Sequence, residues 1–318
     1  MRAVTIREGE LLLEEHPDPV PGKGEVLVRV RAAGLNGADM HQRRGLYPAP
    51  PGWPQDIPGM ELAGEVAALG QGAERFAEGE RVMAIIGGGA QAELAVVHER
   101  LLMPVPEALD WSAAGGLPEV FTTAHDALFT QAELRPGDHL LIHGCAGGVG
   151  TAAIQLARAT GARVTGTARS ELLHDAVEEL GAKPIAPEGF AEHGPFDVIL
   201  ELVGAPNLAE NLASLATGGR IAVIGAGAGA KGDLNLLALM GKRARIHGST
   251  LRARPLEDKA LIARLVEHEV LPLFDSGMLR VPVAATFPLE QATAAYERFE
   301  AGGKLGKIVL IAPGEPAA

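Results

Sequence analysis

The chain has 318 residues, enough for two domains, and 47% are hydrophobic against 21% charged, the balance of an ordinary globular protein. Its 28 Lys and Arg stand against 40 Asp and Glu, and a net charge of −12 disfavours nucleic acid and anionic membrane surfaces as partners. A single cysteine, Cys145, excludes an internal disulfide and a cysteine-rich zinc site. No apolar leader opens the chain and no uncharged apolar run reaches membrane-spanning length, so the expectation is a cytoplasmic protein.

The first third reads as β-rich. EVLVRVRAAG (25–34) alternates apolar and charged residues, and ELAGEVAALG (61–70) and ERVMAII (80–86) are strand-like between glycine turns. Proline and glycine crowd residues 47–59, which must be loop. Beyond residue 120 the texture alternates: strand 139–144, helix 151–162, strand 163–168, helix 171–182, strand 196–204, helix 206–216, strand 218–225 and strand 243–250. This pitch implies a parallel sheet with helices on both faces. A helix near 258–270 follows, then β texture at 279–287, an amphipathic helix over EQATAAYERFEA and a last strand at 306–312. The fold expected is therefore α/β, a doubly wound parallel Rossmann sheet over 122–264 inserted in a β-rich domain made of 1–121 and 265–318.

Residues 141–150 read LIHGCAGGVG, with glycines at 144, 147, 148 and 150, and Cys145 where the first glycine of a dinucleotide loop usually stands. Alone, this pattern fits a tight turn equally well. Its place after an apolar strand and before a helix favours a pyrophosphate site built on Gly147, Gly148 and Val149. The next strand ends TGTARSE, with Ala168 where an NAD-selecting acid would sit. Arg169 and Ser170 can clamp a 2′-phosphate, so the cofactor expected is NADPH, with Glu171 as the residue that argues otherwise. A solvated Arg beside a helix-capping Ser is the plainer reading, and both roles can coexist.

The segments GLNGADMHQRRGLYP (34–48), IPGMELAGEV (57–66), HGCAGGVGTAAIQLA (143–157), TGTARS (165–170) and KLGKIVL (304–310) resemble the zinc-free quinone oxidoreductase branch of the medium-chain dehydrogenase/reductases, to which zeta-crystallin belongs. The resemblance covers nearly the whole chain and implies a GroES-like domain from both chain ends. Zinc-dependent members of the superfamily carry Cys and His where this chain has Asn36 and Met60, both poor zinc ligands, so a metal-free site is expected.

Without a Lewis acid, a quinone is the fitting acceptor, since it takes hydride readily and yields a stabilised hydroquinone. The resemblance places NGADMHQRRGLY along the substrate cleft. Asn36 would hydrogen-bond near the nicotinamide or the substrate oxygen, and Tyr47 would stack on a flat ring or donate its hydroxyl. Asp39 reads as the partner of a nearby Arg, His41 as a minor candidate for proton donation, and Arg43 and Arg44 as structural charges. Cofactor contacts are expected from Thr123, at the start of the helix entering the Rossmann domain. They are also expected from Val203, Gly204 and Gly225 at strand ends, and from Lys304, reaching over from the other domain. The lysine that follows TARS in relatives is replaced by Leu172 and Leu173, which shifts the weight to Arg169.

The reaction expected is NADPH-dependent quinone reduction. Reduction of an enone double bond, or an NADPH-binding protein with an RNA-binding or scaffolding role, stands as the alternative. The strand RARIHGST, at the end of the Rossmann sheet, suggests a homodimer.

Overall fold

A computed structural model describes residues 1–313. Contacts divide the chain into two units, one of residues 1–122, 251–302 and 307 onward, the other Thr123–Thr250 with Gly303–Gly306. The sequence reading cuts the chain at 121/122 and 264/265; the contacts cut it at 122/123 and 250/251. The second cut moves because helix Leu256–Glu269 is tied to the first unit, where Arg264 donates to the Leu102 carbonyl at 2.6 Å and Glu267 pairs with Arg75 at 2.5 Å.

In the first unit, β1 (Arg2–Arg7) and β2 (Glu10–Glu15) form an antiparallel hairpin. Strand β3 (Glu25–Gly34) buries Val26, Val28 and Val30, as its alternation requires. A short helix, α1 (Gly37–Arg43), leads to β4 (Glu61–Leu69), β5 (Arg81–Ile85), β6 (Leu94–His98) and β7 (Met103–Pro104), and then to α2 (Trp111–Gly115) and α3 (Pro118–His125).

The second unit alternates as expected: β8 (His139–Ile142), α4 (Gly148–Thr160), β9 (Arg163–Thr167), α5 (His174–Leu180), β10 (Lys183–Ile185), β11 (Phe196–Glu201), α6 (Leu208–Ser214), β12 (Leu215–Val223), α7 (Leu236–Lys242) and β13 (Arg245–Gly248). All six strands are parallel, in the order β10-β9-β8-β11-β12-β13. This is the doubly wound order whose switch point lies between β8 and β11.

Three helix boundaries differ from the sequence reading. Helix α4 begins at Gly148, inside the glycine run, because the loop turns into the helix at Gly147. The segment 171–182 is a 3₁₀ turn (Glu171–Leu173) followed by α5. Helix α6 ends at Ser214, since Leu215 already pairs with Phe196 as the first residue of β12.

The chain then completes the first unit with α8 (Leu256–Glu269), α9 (Leu271–Asp275), β14 (Val283–Pro288), α10 (Ala292–Glu300) and β15 (Lys307–Ile311). Its sheet runs β14-β15-β3-β4-β5-β7, with β6 also paired to β3. Strands β15, β3 and β4 are adjacent, which brings the end of β3 beside the first residues of β15 and β4.

Candidate active site

The glycine-rich loop owes its shape to close packing. A Cβ on Gly150 would stand 2.5 Å from the Cys145 carbonyl oxygen, and one on Gly166 of β9 would stand 2.6 Å from the Cys145 sulfur. Gly166 therefore provides the room that lets a cysteine stand where a glycine is usual. Burial pushes the Cys145 thiol up to about 12, so it is inert at neutral pH. No side chain caps the N-terminus of α4, a 13-residue helix whose N-terminal end carries the positive end of its dipole. Those are the features a pyrophosphate requires.

Lys304 belongs to this unit and not, as the sequence reading has it, to the other domain. The Gly306 N–H donates to the Ala146 carbonyl at 2.8 Å and Gly306 bridges Gly147, so the 303–306 segment lies against the loop. Arg169 follows β9 and its side chain is exposed; Ser170 begins the 3₁₀ turn without a capping bond from its hydroxyl. Leu172 is 94% exposed beside them.

Val203 and Gly204 lie in the turn just past β11, and Gly225 lies two residues past β12. The turn after β11 is held by Glu201, a carboxylate the sequence reading passed over. Buried, it accepts from the N–H groups of Val203 (2.7 Å) and Gly204 (2.8 Å) and from the amides of Asn211 (2.7 Å) and Asn207 (3.1 Å). His143 donates from Nε2 to Asn211 Oδ1 at 2.7 Å, and its burial lowers its proton affinity. Thr123 is the sixth residue of α3, near the end of that helix, which corrects its expected place at a helix start.

In the first unit, the end of β3 holds a compact polar cluster. Asn36 Oδ1 accepts from Lys307 Nζ at 2.7 Å, and Asn36 Nδ2 donates to Glu61 Oε1 at 2.9 Å. Lys307 and Glu61 pair at 2.6 Å, both buried. Sequence reasoning singled out neither. The only signal is that each opens a largely apolar strand, a position that normally reads as a solvated end.

Asp39 is fully buried and does not pair with an arginine. Its Oδ2 accepts from the Asn36 backbone N–H at 2.8 Å, at the start of α1, and its Oδ1 has no partner. Burial lifts its carboxyl to about 6, against the opposing pull of that hydrogen bond and of the Lys307 and Arg252 charges. Arg43 donates to the Gly9 carbonyl and Arg44 pairs with Glu300, both structural contacts.

Tyr47 is half-buried and rests on Arg252, a residue absent from the sequence reading. The Arg252 side chain is 2% exposed. It donates to Gly87 O (2.7 Å), Tyr47 O (3.1 Å) and Gln42 Oε1 (2.5 Å). Burial lowers its proton affinity.

Among the described residues no three His, Cys, Asp or Glu side chains are grouped as a metal site, and no helix is long and apolar enough to cross a membrane.

Residues 22–107 match the alcohol dehydrogenase GroES-like domain, and residues 180–310 match the zinc-binding dehydrogenase family. The quinone oxidoreductase of Rattus norvegicus is 32% identical over 329 residues, spanning 98% of each chain. The chain belongs to the quinone oxidoreductase branch of the medium-chain dehydrogenase/reductases. Solved structures of this superfamily share the fold across their length. An alcohol dehydrogenase superfamily protein from Novosphingobium aromaticivorans superposes with a TM-score of 0.86 at 32% identity, covering 98% of this chain and 99% of that one. A protein described as an NAD-dependent alcohol dehydrogenase gives 0.87 at 31%, with 98% and 99% covered. As a member of this branch, the chain is an oxidoreductase.

Proposed function

We propose that the chain is an NADPH-dependent quinone reductase that works without zinc. One observation carries the reading. Gly147, Gly148 and Val149, then Arg169 and Ser170, then Val203 and Gly204, and lastly Gly225 follow the C-terminal ends of β8, β9, β11 and β12, four adjacent parallel strands, so these residues share one edge of one sheet. Gly147, Gly148 and Val149 would hold the pyrophosphate with Lys304 beside them, while Val203, Gly204 and Gly225 would line the nicotinamide side. Thr123 remains part of this proposal. The cofactor, when bound, supplies the hydride.

NADPH is favoured over NADH because Ala168 replaces the acid that selects a ribose 2′-hydroxyl, and the exposed Arg169 and half-buried Ser170 suit a 2′-phosphate. Asn36 and Tyr47 would orient the acceptor through the amide N–H and the phenol. The Lys307 ammonium against Asn36 Oδ1 opposes a divalent cation at that position, which supports zinc independence. The full-length relative named a quinone oxidoreductase favours a quinone over an enone as acceptor. The single buried thiol suits a reducing cytoplasm.

The partner at the β13 edge is read as a second copy, because β13 ends the sheet and α7 exposes Leu236, Leu237 and Met240 near it. Light scattering at micromolar concentration should give the dimer mass; a monomer mass would rule this out. The function is tested by following NADPH oxidation at 340 nm with 1,4-naphthoquinone and with 2-hexenal in parallel. Faster turnover of the quinone is expected, and turnover of the alkenal alone would replace the substrate assignment.

A further inference from the structure

We infer that Lys307 and Glu61 are a pair of positioning residues that fix the Asn36 amide, so that one of its N–H groups is held as a donor for a carbonyl oxygen of the ligand. The inference rests on the proposed role of Asn36 in binding the acceptor or the nicotinamide.

The three Lys307 donors are all committed, to Leu35 O at 2.7 Å, Asn36 Oδ1 at 2.7 Å and Glu61 Oε1 at 2.6 Å. An ammonium cannot accept a hydrogen bond, so the Asn36 oxygen must face Lys307. An ionised carboxylate cannot donate one, so the Asn36 NH2 must face Glu61. A flipped amide would set NH2 against the ammonium and oxygen against the carboxylate, two repulsive contacts in a buried setting where polar mismatches are costly. The charges on either side therefore dictate the orientation of the amide.

The arrangement is built into the backbone. A Cβ at Gly34 would stand 2.3 Å from Glu61 Oε1, so glycine at the end of β3 makes the space for the carboxylate. The second Glu61 oxygen is pinned by the Glu119 N–H at 2.8 Å. A Cβ at Gly116 would come within 3.2 Å of Lys307 Cγ, so the residue that caps α2 walls in the other side.

One Asn36 amide hydrogen is left. Among the described residues its one remaining contact is the Gly34 carbonyl at 3.4 Å, beyond the ordinary N–H···O range. Of the three residues, Asn36 is also the one with residual exposure, 9% against 3% for Lys307 and 0% for Glu61. With Oδ1 spent on Lys307, the side chain offers a ligand a donor and no acceptor. That polarity fits a carbonyl oxygen, on which negative charge develops as hydride arrives.

The test uses the full-length chain labelled with ¹⁵N-asparagine, which has only four asparagines, Asn36, Asn207, Asn211 and Asn235. In the wild type the two Asn36 side-chain protons should differ in exchange, the one facing Glu61 being protected relative to those of the exposed Asn235. Lys307→Met/Glu61→Gln removes both charges together and leaves the amide free to turn. This variant should lose the protected signal. Its kcat should fall about tenfold or more, towards the roughly 100-fold cost of losing a fixed donor to a developing oxyanion. Unchanged kcat with unchanged Asn36 signals would overturn the inference. So would equal exchange of the two protons in the wild type, a measurement that needs no variant to fold. If the wild type reduces neither quinone nor enone, the functional reading fails, and the amide spectra alone decide the inference.

Discussion

Arg252 and Tyr47 are joined twice: the guanidinium carbon lies 5.1 Å from the phenol centroid, and Nη1 donates to the Tyr47 carbonyl oxygen at 3.1 Å. Arg252 also holds Gln42 and Gly87, so one buried cation ties the end of α1, the Tyr47 loop and the turn after β5 together. Arg252→Met should strand three acceptors at about 1–3 kcal/mol each where they stay buried, lowering the Tm clearly. Arg252→Lys keeps the charge but loses the planar fork, so it should fold and raise KM for the acceptor while leaving the cofactor Kd unchanged. An unchanged acceptor KM in Arg252→Lys would dissociate Tyr47 from acceptor binding.

Asp39 makes stability depend on pH with an unusual sign. Its carboxyl sits at about 6 in the folded chain, against about 3.9 when unfolded. Between those values the folded state binds more protons, so stability falls as pH rises through the window, and the full cost, on the order of 3 kcal/mol, applies above pH 6. Asp39→Asn keeps an acceptor for the Asn36 N–H and drops the charge. The variant's Tm should exceed that of the wild type by more at pH 8 than at pH 4.5. An equal difference at both values would show that Asp39 does not change its proton affinity on folding.

The Cys145–Gly166 contact predicts both reactivity and packing. With its thiol buried and pushed up to about 12, Cys145 should react with Ellman's reagent only after denaturation. Gly166→Ala places a methyl 2.6 Å from the sulfur and the Cβ of Cys145, and overpacking of this kind costs roughly 1–3 kcal/mol. Adding Cys145→Gly should recover most of that loss in a double-mutant cycle. No recovery would locate the strain elsewhere.

Arg169 is expected to carry the preference for NADPH. A hydrogen bond to a charged group is worth about 1.5–3 kcal/mol, so Arg169→Ala should weaken NADPH by roughly 10- to 150-fold, with NADH little changed. Equal weakening of both cofactors would reduce Arg169 to a stacking or structural role. A wild type that prefers NADH would transfer the ribose contact to Glu171.

The Rossmann half was legible because strands and helices of ordinary length alternate and glycine marks their ends. Its edge order needed only the rule that parallel strands wind outward from a central pair. The GroES-like half was less legible. The β1–β2 hairpin and α1 are short, and α1 follows its cap residue Asn36 in a segment whose glycine and polar residues also suit a loop. Asn36 and Tyr47 are proposed through resemblance, whereas the residues that hold them carry no such signal. Glu61, Lys307 and Arg252 are buried charges, and hydrophobic patterning assigns charges to the surface. Their partners lie 25, 271 and 205 residues away, so only the folded sheet brings them together.

Hydride transfer from NADPH to a quinone on this chain is proposed to need no zinc. The most direct measurement is an anaerobic single turnover: metal-free protein loaded with one equivalent of NADPH, mixed with excess 1,4-naphthoquinone and followed at 340 nm. The expected result is a complete first-order loss of absorbance with one hydroquinone formed per NADPH, unchanged by chelator. A stable 340 nm signal, or one that decays only after zinc is added, would contradict it.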